Sequence, residues 1–221
     1  KSESFTGDGT VRMTSAGSGG KPVIVEAGHV EGTQQRIDYT RSVQMFPADG
    51  GKVQTDHLSA YPNENRFEAA GHVHSQTSEL DVTSQTLDVK DSGENSQIAH
   101  YTGDVRAEKK DKDGILVLRG QDLKVHLKNG EKGGQLDTIV ATGGVEMTQG
   151  IQDGRGDRFE YNFATRESLL LGTVASDAEV HERGSDQFVK GCSILMKSDG
   201  SKTAKPCADR SVTSSIKVNK K

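Results

Sequence analysis

The stretch ATGGVEMTQG, Ala141 to Gly150, places a Gly-x-Val step inside a run of residues that is otherwise typical of a β-strand. A glycine inside a strand costs backbone entropy and brings no side chain to the packing. Near-copies of the step recur along the chain, each with an apolar or small residue four positions before the glycine and a Val two positions after it. The copies are FTGDGTV at Gly9, IVEAGHV at Gly28, FEAAGHV at Gly71, the weaker AHYTGDV at Gly103, IVATGGV at Gly143, and a degenerate VASDAEV with Ala178 in place of the glycine.

The spacing within each copy predicts which way its residues point. Strand positions that are an even number of residues apart share a face, so the apolar residue, the glycine and the Val are all predicted to face inward. A second half-motif, an apolar-x-apolar pair such as Phe159 and Tyr161, begins 16 positions after three of the anchors. One repeat is therefore predicted to be two strands and a turn, and the glycine marks its register.

Apolar and polar residues alternate strictly in segments such as Leu123-Lys-Val125-His-Leu127. Such alternation indicates antiparallel strands with one dry face and one solvated face. Only 31% of the residues are hydrophobic, and the 26 glycines interrupt any long helical segment, so the chain is predicted to be all-β with almost no helix. Two dry faces must cover each other, which leaves a β-sandwich, a jellyroll or a flattened barrel.

Charge and motif content argue against several functions. The net charge is −4, and Lys and Arg are scattered except in a short stretch from Lys109 to Lys112, so nucleic-acid binding is not predicted. The sequence holds none of the nucleophile-elbow, P-loop or zinc-protease motifs, and we predict neither an enzyme nor a cofactor. His72 and His74 flank Val73 with a spacing that can hold Zn or Cu, but solvated strand histidines without a metal are the preferred interpretation.

Two features of the sequence bear on the compartment. Cys192 and Cys207 lie symmetrically about Asp199 and Gly200, a dipeptide that favours a two-residue type I′ hairpin turn. Such a hairpin would bring the cysteines within disulfide reach, which predicts a bridge and an oxidising compartment, with two reduced, buried thiols as the alternative. The chain begins Lys1-Ser2-Glu3, and we expect a missing N-terminal segment to carry an export signal or a membrane tether.

The tandem Φ-x-x-[Ala/Thr]-Gly-x-Val segments resemble a known superfamily. Each is followed by a strand like Asp157-Arg-Phe159-Glu-Tyr161, or like Asp56-His-Leu58 running on to Tyr61. This pattern, from Phe5 to Val218, resembles the OstA-like lipopolysaccharide (LPS) transport proteins of the periplasm, which include LptA, LptC and the N-terminal domain of the outer-membrane LPS translocon. The resemblance implies an elongated, slightly open antiparallel β-jellyroll built from repeated hairpins. A single jellyroll of about six repeats would span residues 1–218, with a candidate sub-boundary near 62–66 and a basic tail at 219–221.

The resemblance also implies a function. The protein would bind LPS in the periplasm, shield the acyl chains of lipid A in an apolar groove, and bridge inner-membrane and outer-membrane transport components by edge-strand addition or by end-to-end self-association. An N-terminal tether to the inner membrane is an open alternative to a free bridge. A structural or adhesive extracytoplasmic β-repeat module without an internal ligand is the alternative function.

An acyl carrier needs a continuous apolar surface, because each CH₂ group kept from water is worth about 0.8 kcal/mol. The inward strand residues would supply it, although the same residues could simply fill a closed core. The residues predicted to line the groove are Phe67, Val73, Leu80, Val82, Leu123, Val125, Leu127, Ile139, Val145, Met147, Phe159, Tyr161, Phe163, Leu169, Leu171, Ile194 and Met196.

Overall fold

The computed structural model describes residues 4–16, 22–48, 50–93, 96–111, 114–130, 133–173, 175–207 and 213–215. The first three residues and the predicted basic tail at 219–221 lie outside these ranges. The strands are β1 (Ser4–Ala16), β2 (Pro22–Thr33), β3 (Ile37–Phe46), β4 (Lys52–Tyr61), β5 (Arg66–Gln76), β6 (Leu80–Asp91), β7 (Ser96–Asp111), β8 (Gly114–Gly130), β9 (Gly133–Gln149), β10 (Gln152–Asn162), β11 (Glu167–Leu171), β12 (Ala178–Glu182), β13 (Phe188–Gly191), β14 (Ser193–Met196), β15 (Lys202–Lys205) and β16 (Thr213–Ser215).

Strands β1 to β10 form one antiparallel meander, in which each strand pairs with the next along the chain. Between β4 and β5 the connection is a single 3-10 turn, Pro62–Glu64, and the two strands pair directly on either side of it. Within the described ranges no helix is both long and apolar enough to cross a bilayer. The prediction of an all-β antiparallel protein is confirmed.

The sheet divides at β10. The first part of this strand, Gln152 to Arg155, pairs with β12, while its last part, Arg158 to Asn162, pairs with β11. One branch then continues through β14 and β15, and the other continues through β13 and β16.

A line of β-bulges crosses the meander at the repeat motif, and we call it the bulge line. In each hairpin that begins with an odd-numbered strand, from β1–β2 to β9–β10, the pairing register shifts so that two consecutive residues of the odd-numbered strand face one residue of its partner. These sets are Gly9 and Thr10 with Gly28, Arg41 and Ser42 with Asp56, Gly71 and His72 with Gln85, Gly103 and Asp104 with Gln121, and Gly143 and Gly144 with Asp157.

The repeat glycines point away from the core, so the prediction that they face inward is wrong. Gly71 and Gly143 have φ values of +80° and +85°. A Cβ on Gly143 would lie 2.8 Å from the Cβ of Gln121, and a Cβ on Gly71 would lie 2.5 Å from Oδ2 of Asp56. Both neighbours are exposed, so the missing side chains point to the solvated face. Even-odd counting fails here because left-handed residues interrupt the regular pleat on which the counting depends.

One copy of the motif was missed and another was misplaced. The missed copy is IDYTRSV on β3, where Arg41 and Ser42 adopt φ values of +67° and +60° in place of glycine. Gly28 lies instead on an even-numbered strand, where a Cβ would come within 2.8 Å of the Cβ of Arg41. Gly28 therefore faces the bulge residues Gly9 and Thr10 and contacts Arg41 on the neighbouring strand, rather than adopting the bulge conformation itself.

The meander folds over along the bulge line into two layers. Layer A holds the residues that precede the bulge in odd-numbered strands and follow it in even-numbered strands, together with β11, β14 and β15. Layer B holds the other half of each strand, together with β12, β13 and β16. Each layer has one apolar face, and the fold buries these two faces against each other in one continuous core. This arrangement confirms the β-jellyroll.

Buried hydroxyl groups stabilise the bulge line. Oγ1 of Thr55 donates to the carbonyl oxygen of Ala70 at 2.8 Å, and Oγ of Ser84 donates to the carbonyl oxygen of Thr86 at 2.9 Å. Both hydroxyl residues are buried. Bulges disrupt the regular ladder and leave carbonyls that need other donors, and these side chains supply them.

The predicted disulfide between Cys192 and Cys207 is present, with the two Cα atoms 4.9 Å apart. Cys192 lies between β13 of layer B and β14 of layer A, and Cys207 follows β15. The bridge therefore fixes the crossing between layers to the end of the last strand of layer A.

The turn beside the disulfide differs from the predicted one. Met196 pairs with Lys202, which centres the hairpin on Asp199 rather than between Asp199 and Gly200. The N–H of Gly200 donates to the carbonyl oxygen of Lys197 at 3.0 Å, and Gly200 has φ +83°. A longer loop with one left-handed glycine thus replaces the two-residue type I′ turn, and the register shifts by one residue.

Candidate functional site

Most of the residues predicted to line a groove lie in the core between the two layers. Those that are buried come from both layers: Val73, Leu80, Val82, Leu123, Val125, Ile139, Val145, Met147, Phe159, Tyr161, Ile194 and Met196. Phe67, Leu127 and Phe163 are partly buried and pack against this core. The layers are in contact, so the interior is a packed core with its open edge at the turns, where layers A and B end.

Leu169 and Leu171 are exceptions, since they lie on the opposite face of layer A. Ser168 and Leu170 are the buried residues of β11, and Leu170 has no exposed surface. Three consecutive leucines carry no alternation, so the sequence could not show which of them faces inward. Leu169 pairs with Leu195 on that outer face.

Polar contacts cross the core between the layers. The hydroxyl of Tyr101 in layer A donates to Oγ of Ser75 in layer B at 3.1 Å, and the hydroxyl of Tyr39 contacts Sδ of Met13 at 3.4 Å. Burial raises the pKa of Tyr101 to about 12 and also raises the pKa of Tyr39. Both phenols are therefore held in the neutral form, which a water-poor interior favours.

Lys109 is a buried cation between the layers. It is only 6% exposed, and its Nζ lies 4.7 Å from the ring centroid of Tyr161 and 5.2 Å from that of Phe163. Nζ also donates to the Tyr161 hydroxyl at 3.4 Å. A desolvated cation–π contact is worth about 2 kcal/mol. The sequence analysis noted this residue only as part of a short basic stretch, although its alternation with Val105 and Ala107 indicates the inward face.

A cavity of about 220 Å³ opens at the edge where the turns of the two layers meet. The β9–β10 turn contributes from layer B, and the β10–β11 and β14–β15 turns contribute from layer A. The cavity is lined by Gln149, Gly150, Ile151, Gln152, Tyr161, Arg166, Ser168, Met196, Lys197, Ser198 and Gly200. We call it the mouth cavity. Two predicted lining residues, Tyr161 and Met196, are thus reached from outside.

The mouth cavity has an apolar lip. Ile151 is 55% exposed, and Ile115, at the start of β8, is 50% exposed. A Cβ on Gly114 would lie 4.0 Å from the backbone nitrogen of Gly150, so the two hairpin turns that carry these isoleucines are neighbours. Exposed isoleucines at adjacent turns are a departure from the otherwise polar loops.

A second cavity, of about 280 Å³, lies beside the part of β10 that belongs to layer A. Its lining includes Val140, Leu169 and Leu195, which lie in one row across neighbouring strands with Glu160 between the first two. The two leucines and the valine are half-buried. Leu169, which was predicted to line the interior, therefore lines this second cavity instead.

The histidines of the predicted strand pair are each engaged by a carboxylate. Nδ1 of His72 lies 2.7 Å from Oδ2 of Asp56, and Nε2 of His74 lies 2.9 Å from Oδ1 of Asp81. The two rings thus have separate partners, and a shared metal site would need both to be released. In the described part of the chain, the group of potential metal ligands consists of Asp177 with Cys192 and Cys207, whose sulfurs are joined in the disulfide and are not available as thiolates.

The sheet ends in exposed strand edges. Among the strands that the structure describes, β1 pairs with β2 alone, most of its residues are exposed, and Phe5 is 40% exposed. At the other end, among the described strands, β15 and β16 each pair with a single neighbour. Unpaired N–H and C=O groups along such an edge can pair with another strand.

The fold and the interior together define a class of protein, an all-β jellyroll made of one folded meander around an apolar core with an open edge. Comparison with protein-family models agrees with this class and extends it. Residues 52–201 match the family described as "LptA/(LptD N-terminal domain) LPS transport protein". Because the match spans more than half of the chain, the protein belongs to this family of LPS transport proteins, as the sequence resemblance implied.

A similar solved structure is that of LptH from Pseudomonas aeruginosa, described as the LptA homologous periplasmic component of the conserved lipopolysaccharide transport device. It is 14% identical, with a TM-score of 0.32, and the alignment covers 75% of this chain and 94% of that chain. Comparison with curated protein sequences finds no significant match.

Proposed function

We propose that this protein works in the periplasm, where it binds the acyl chains of lipid A between layers A and B and passes LPS between transport components. The observation that carries the proposal is the continuous apolar interior, lined from both layers and reached at the mouth cavity through Tyr161 and Met196. Membership of an LPS transport family and the disulfide both support it. The role is transport rather than catalysis.

Binding would require the layers to separate at the open edge. Among the predicted lining residues that face the interior, Phe67, Leu127 and Phe163 are only partly buried and would contact an acyl chain first. The acyl chain would then replace contacts between apolar side chains with contacts that are equally apolar, so this exchange costs little free energy. Keeping the acyl chain out of water is worth about 0.8 kcal/mol for each CH₂ group. The bulge line would act as the fixed edge during this separation.

Bridging would use the exposed strand edges. A second jellyroll could add a strand to β1 at one end or to β15 at the other, and two copies of this chain could join the same way. A tether to the inner membrane on the N-terminal side remains a prediction. Docking by these edges predicts that partners meet end to end, so that their apolar interiors are continuous.

The test is photo-crosslinking of the full chain to LPS. A photoreactive amino acid at Val125 or Tyr161 faces the interior, whereas the same amino acid at Lys124 faces solvent one residue away on the same strand as Val125. We expect LPS adducts from the two inward positions and none from Lys124. Adducts at equal yield from Val125 and Lys124 would show that the lipid does not enter the interior.

The alternative function is a structural or adhesive β-repeat module without an internal ligand. The tight packing of the core favours it, because Phe159, Leu170, Ile139 and Ile194 have no exposed surface. A module of this kind would give no LPS adduct at any inward position. The same crosslinking series therefore decides between the two functions.

A further inference from the structure

The mouth cavity has a one-sided charge. Among the residues that line it, the charged ones are Arg166 and Lys197, and both are cations. Asp199, on the same turn as Lys197, is not part of the lining, and its carboxylate accepts from the backbone N–H of Ser201 at 2.8 Å. That hydrogen bond helps to hold the pKa of Asp199 below its usual value, after a larger contribution from the Ser201 side chain. The nearest acid on this turn is thus tied to its own loop.

Arg166 is held by a rigid turn. It has φ +57°, and its N–H donates to the carbonyl oxygen of Asn162 at 2.8 Å. Oδ1 of Asn162 accepts from the backbone nitrogens of Ala164 and Thr165 at 2.9 and 3.0 Å. A left-handed conformation costs an ordinary side chain about 1–2 kcal/mol, and glycine or asparagine adopts it more cheaply. Arg166 adopts this conformation at a turn that places it in the lining of the mouth cavity.

The buried residues in the lining of the same cavity are Tyr161, Met196 and Ser168. Tyr161 and Met196 belong to the apolar core between the layers. Exposed Ile151 stands at the rim. The lining thus places two cations beside side chains that belong to the core between the layers.

We propose that the mouth cavity is the entry site for a phosphorylated lipid, with a phosphate group bound by Arg166 and Lys197 and an acyl chain lying against Tyr161 and Met196. The inference rests on the proposed function, since it takes the acyl chain to continue between the layers. Guanidinium groups bind phosphate oxygens in a bidentate way, and a lysine adds a point charge. The cavity is smaller than the range of about 300–1,000 Å³ for complete ligand sites, so it takes the junction of head group and chain rather than the whole lipid.

The experiment compares two double variants of the full chain. Arg166→Gln with Lys197→Gln removes the rim cations, and Arg155→Gln with Lys124→Gln removes one exposed arginine and one exposed lysine that face away from the mouth cavity. Acyl-labelled diphosphorylated lipid A and acyl-labelled neutral diacylglycerol are each presented in non-ionic detergent micelles. Binding is followed by fluorescence polarisation, and inorganic phosphate alone is titrated as a competitor.

We expect the rim variant to bind diphosphorylated lipid A about tenfold more weakly, while its affinity for diacylglycerol changes less than about twofold. The control variant should keep both affinities. Inorganic phosphate should compete only at concentrations far above those of the lipid. This pattern would support the entry site.

Other patterns would overturn it in distinguishable ways. Equal loss of both lipids in the rim variant would mean that the cations act on the fold, and identical behaviour of the two variants would remove the rim from recognition while leaving acyl binding intact. Phosphate alone competing as strongly as the lipid would make this a free-phosphate site. Failure of the wild-type protein to bind either lipid would overturn the proposed function and the entry site together.

Discussion

At the scale of single residues, Gly143 shows that a repeated glycine can be recognised in a sequence and still be assigned to the wrong face of its strand. Its recurrence and spacing were visible, and so was the repeat that it marks. The direction of its missing side chain was not visible, because that depends on a positive φ that spacing cannot reveal. The same limit hid Arg41 and Ser42, which adopt the bulge conformation without glycine.

Substitutions at Gly143 and at Gly144 separate the cost of backbone strain from the cost of a steric clash with Gln121. Both have positive φ, but a Cβ on Gly143 would lie 2.8 Å from the Cβ of Gln121, whereas a Cβ on Gly144 would meet nothing within 4 Å. Gly144→Ala should lower the free energy of unfolding by about 1–2 kcal/mol. Gly143→Ala should lower it further, and Gly143→Leu further still, as measured by urea denaturation. Equal losses from the two alanine variants would contradict the close approach to Gln121.

Tyr101 makes the stability of the fold depend on pH in the alkaline range. Its pKa is about 12 in the folded protein against 10.0 for the free group, so its contribution is complete below pH 10 and is lost as the pH rises through 12. The loss between pH 7 and pH 11 from this one group is about 1.4 kcal/mol. Tyr101→Phe removes that loss, and also removes the hydrogen bond to Ser75, at a cost of about 1 kcal/mol at pH 7.

The measurement is chemical denaturation of both proteins at pH 7 and pH 11, with short incubations. The stability difference between the wild type and Tyr101→Phe should narrow or reverse at pH 11. A constant difference would mean that Tyr101 does not titrate as a buried phenol.

At the scale of elements, strand positions and the disulfide could be predicted, but hairpin registers could not. Alternation located the strands, as in Leu123 to Leu127, because one face of each is buried. The pairing register of β14 and β15 was predicted one residue away from the observed one, since Asp199-Gly200 suits a type I′ turn and also suits a longer loop with a left-handed glycine. Leu169 to Leu171 gave no alternation to read, and there the assignment of faces failed.

The disulfide should matter most for the C-terminal strands. Cys192 and Cys207 are separated by 15 residues, a loop length for which closure is worth about 3 kcal/mol in the chain-entropy model. The double variant Cys192→Ser with Cys207→Ser should therefore unfold at a lower urea concentration, and amide exchange should rise first in β14 and β15. The wild-type protein under reducing conditions serves as the matched comparison. Unchanged exchange in these two strands would show that the bridge does not hold them.

At the scale of the whole molecule, the class of fold followed from the sequence, but the way in which the layers form did not. Alternating strands required two dry faces that cover each other, and a sandwich of two sheets satisfies that requirement as well as a jellyroll does. One sheet folds over here because each hairpin that begins with an odd-numbered strand carries a bulge at the same height. The cationic rim of the mouth cavity could not be predicted from the sequence either. Arg166 and Lys197 are far apart in sequence, and they come together only because the β10–β11 and β14–β15 turns line the same cavity.

The bulge line has a consequence for the length of the molecule. Each hairpin brings its own bulge, its own share of both layers and contacts chiefly with the hairpins on either side, so the architecture has no fixed number of units. Lengthening or shortening it by a whole hairpin changes the span of the interior without altering its cross-section. Proteins with this architecture can therefore differ in length while the cross-section at both ends stays the same.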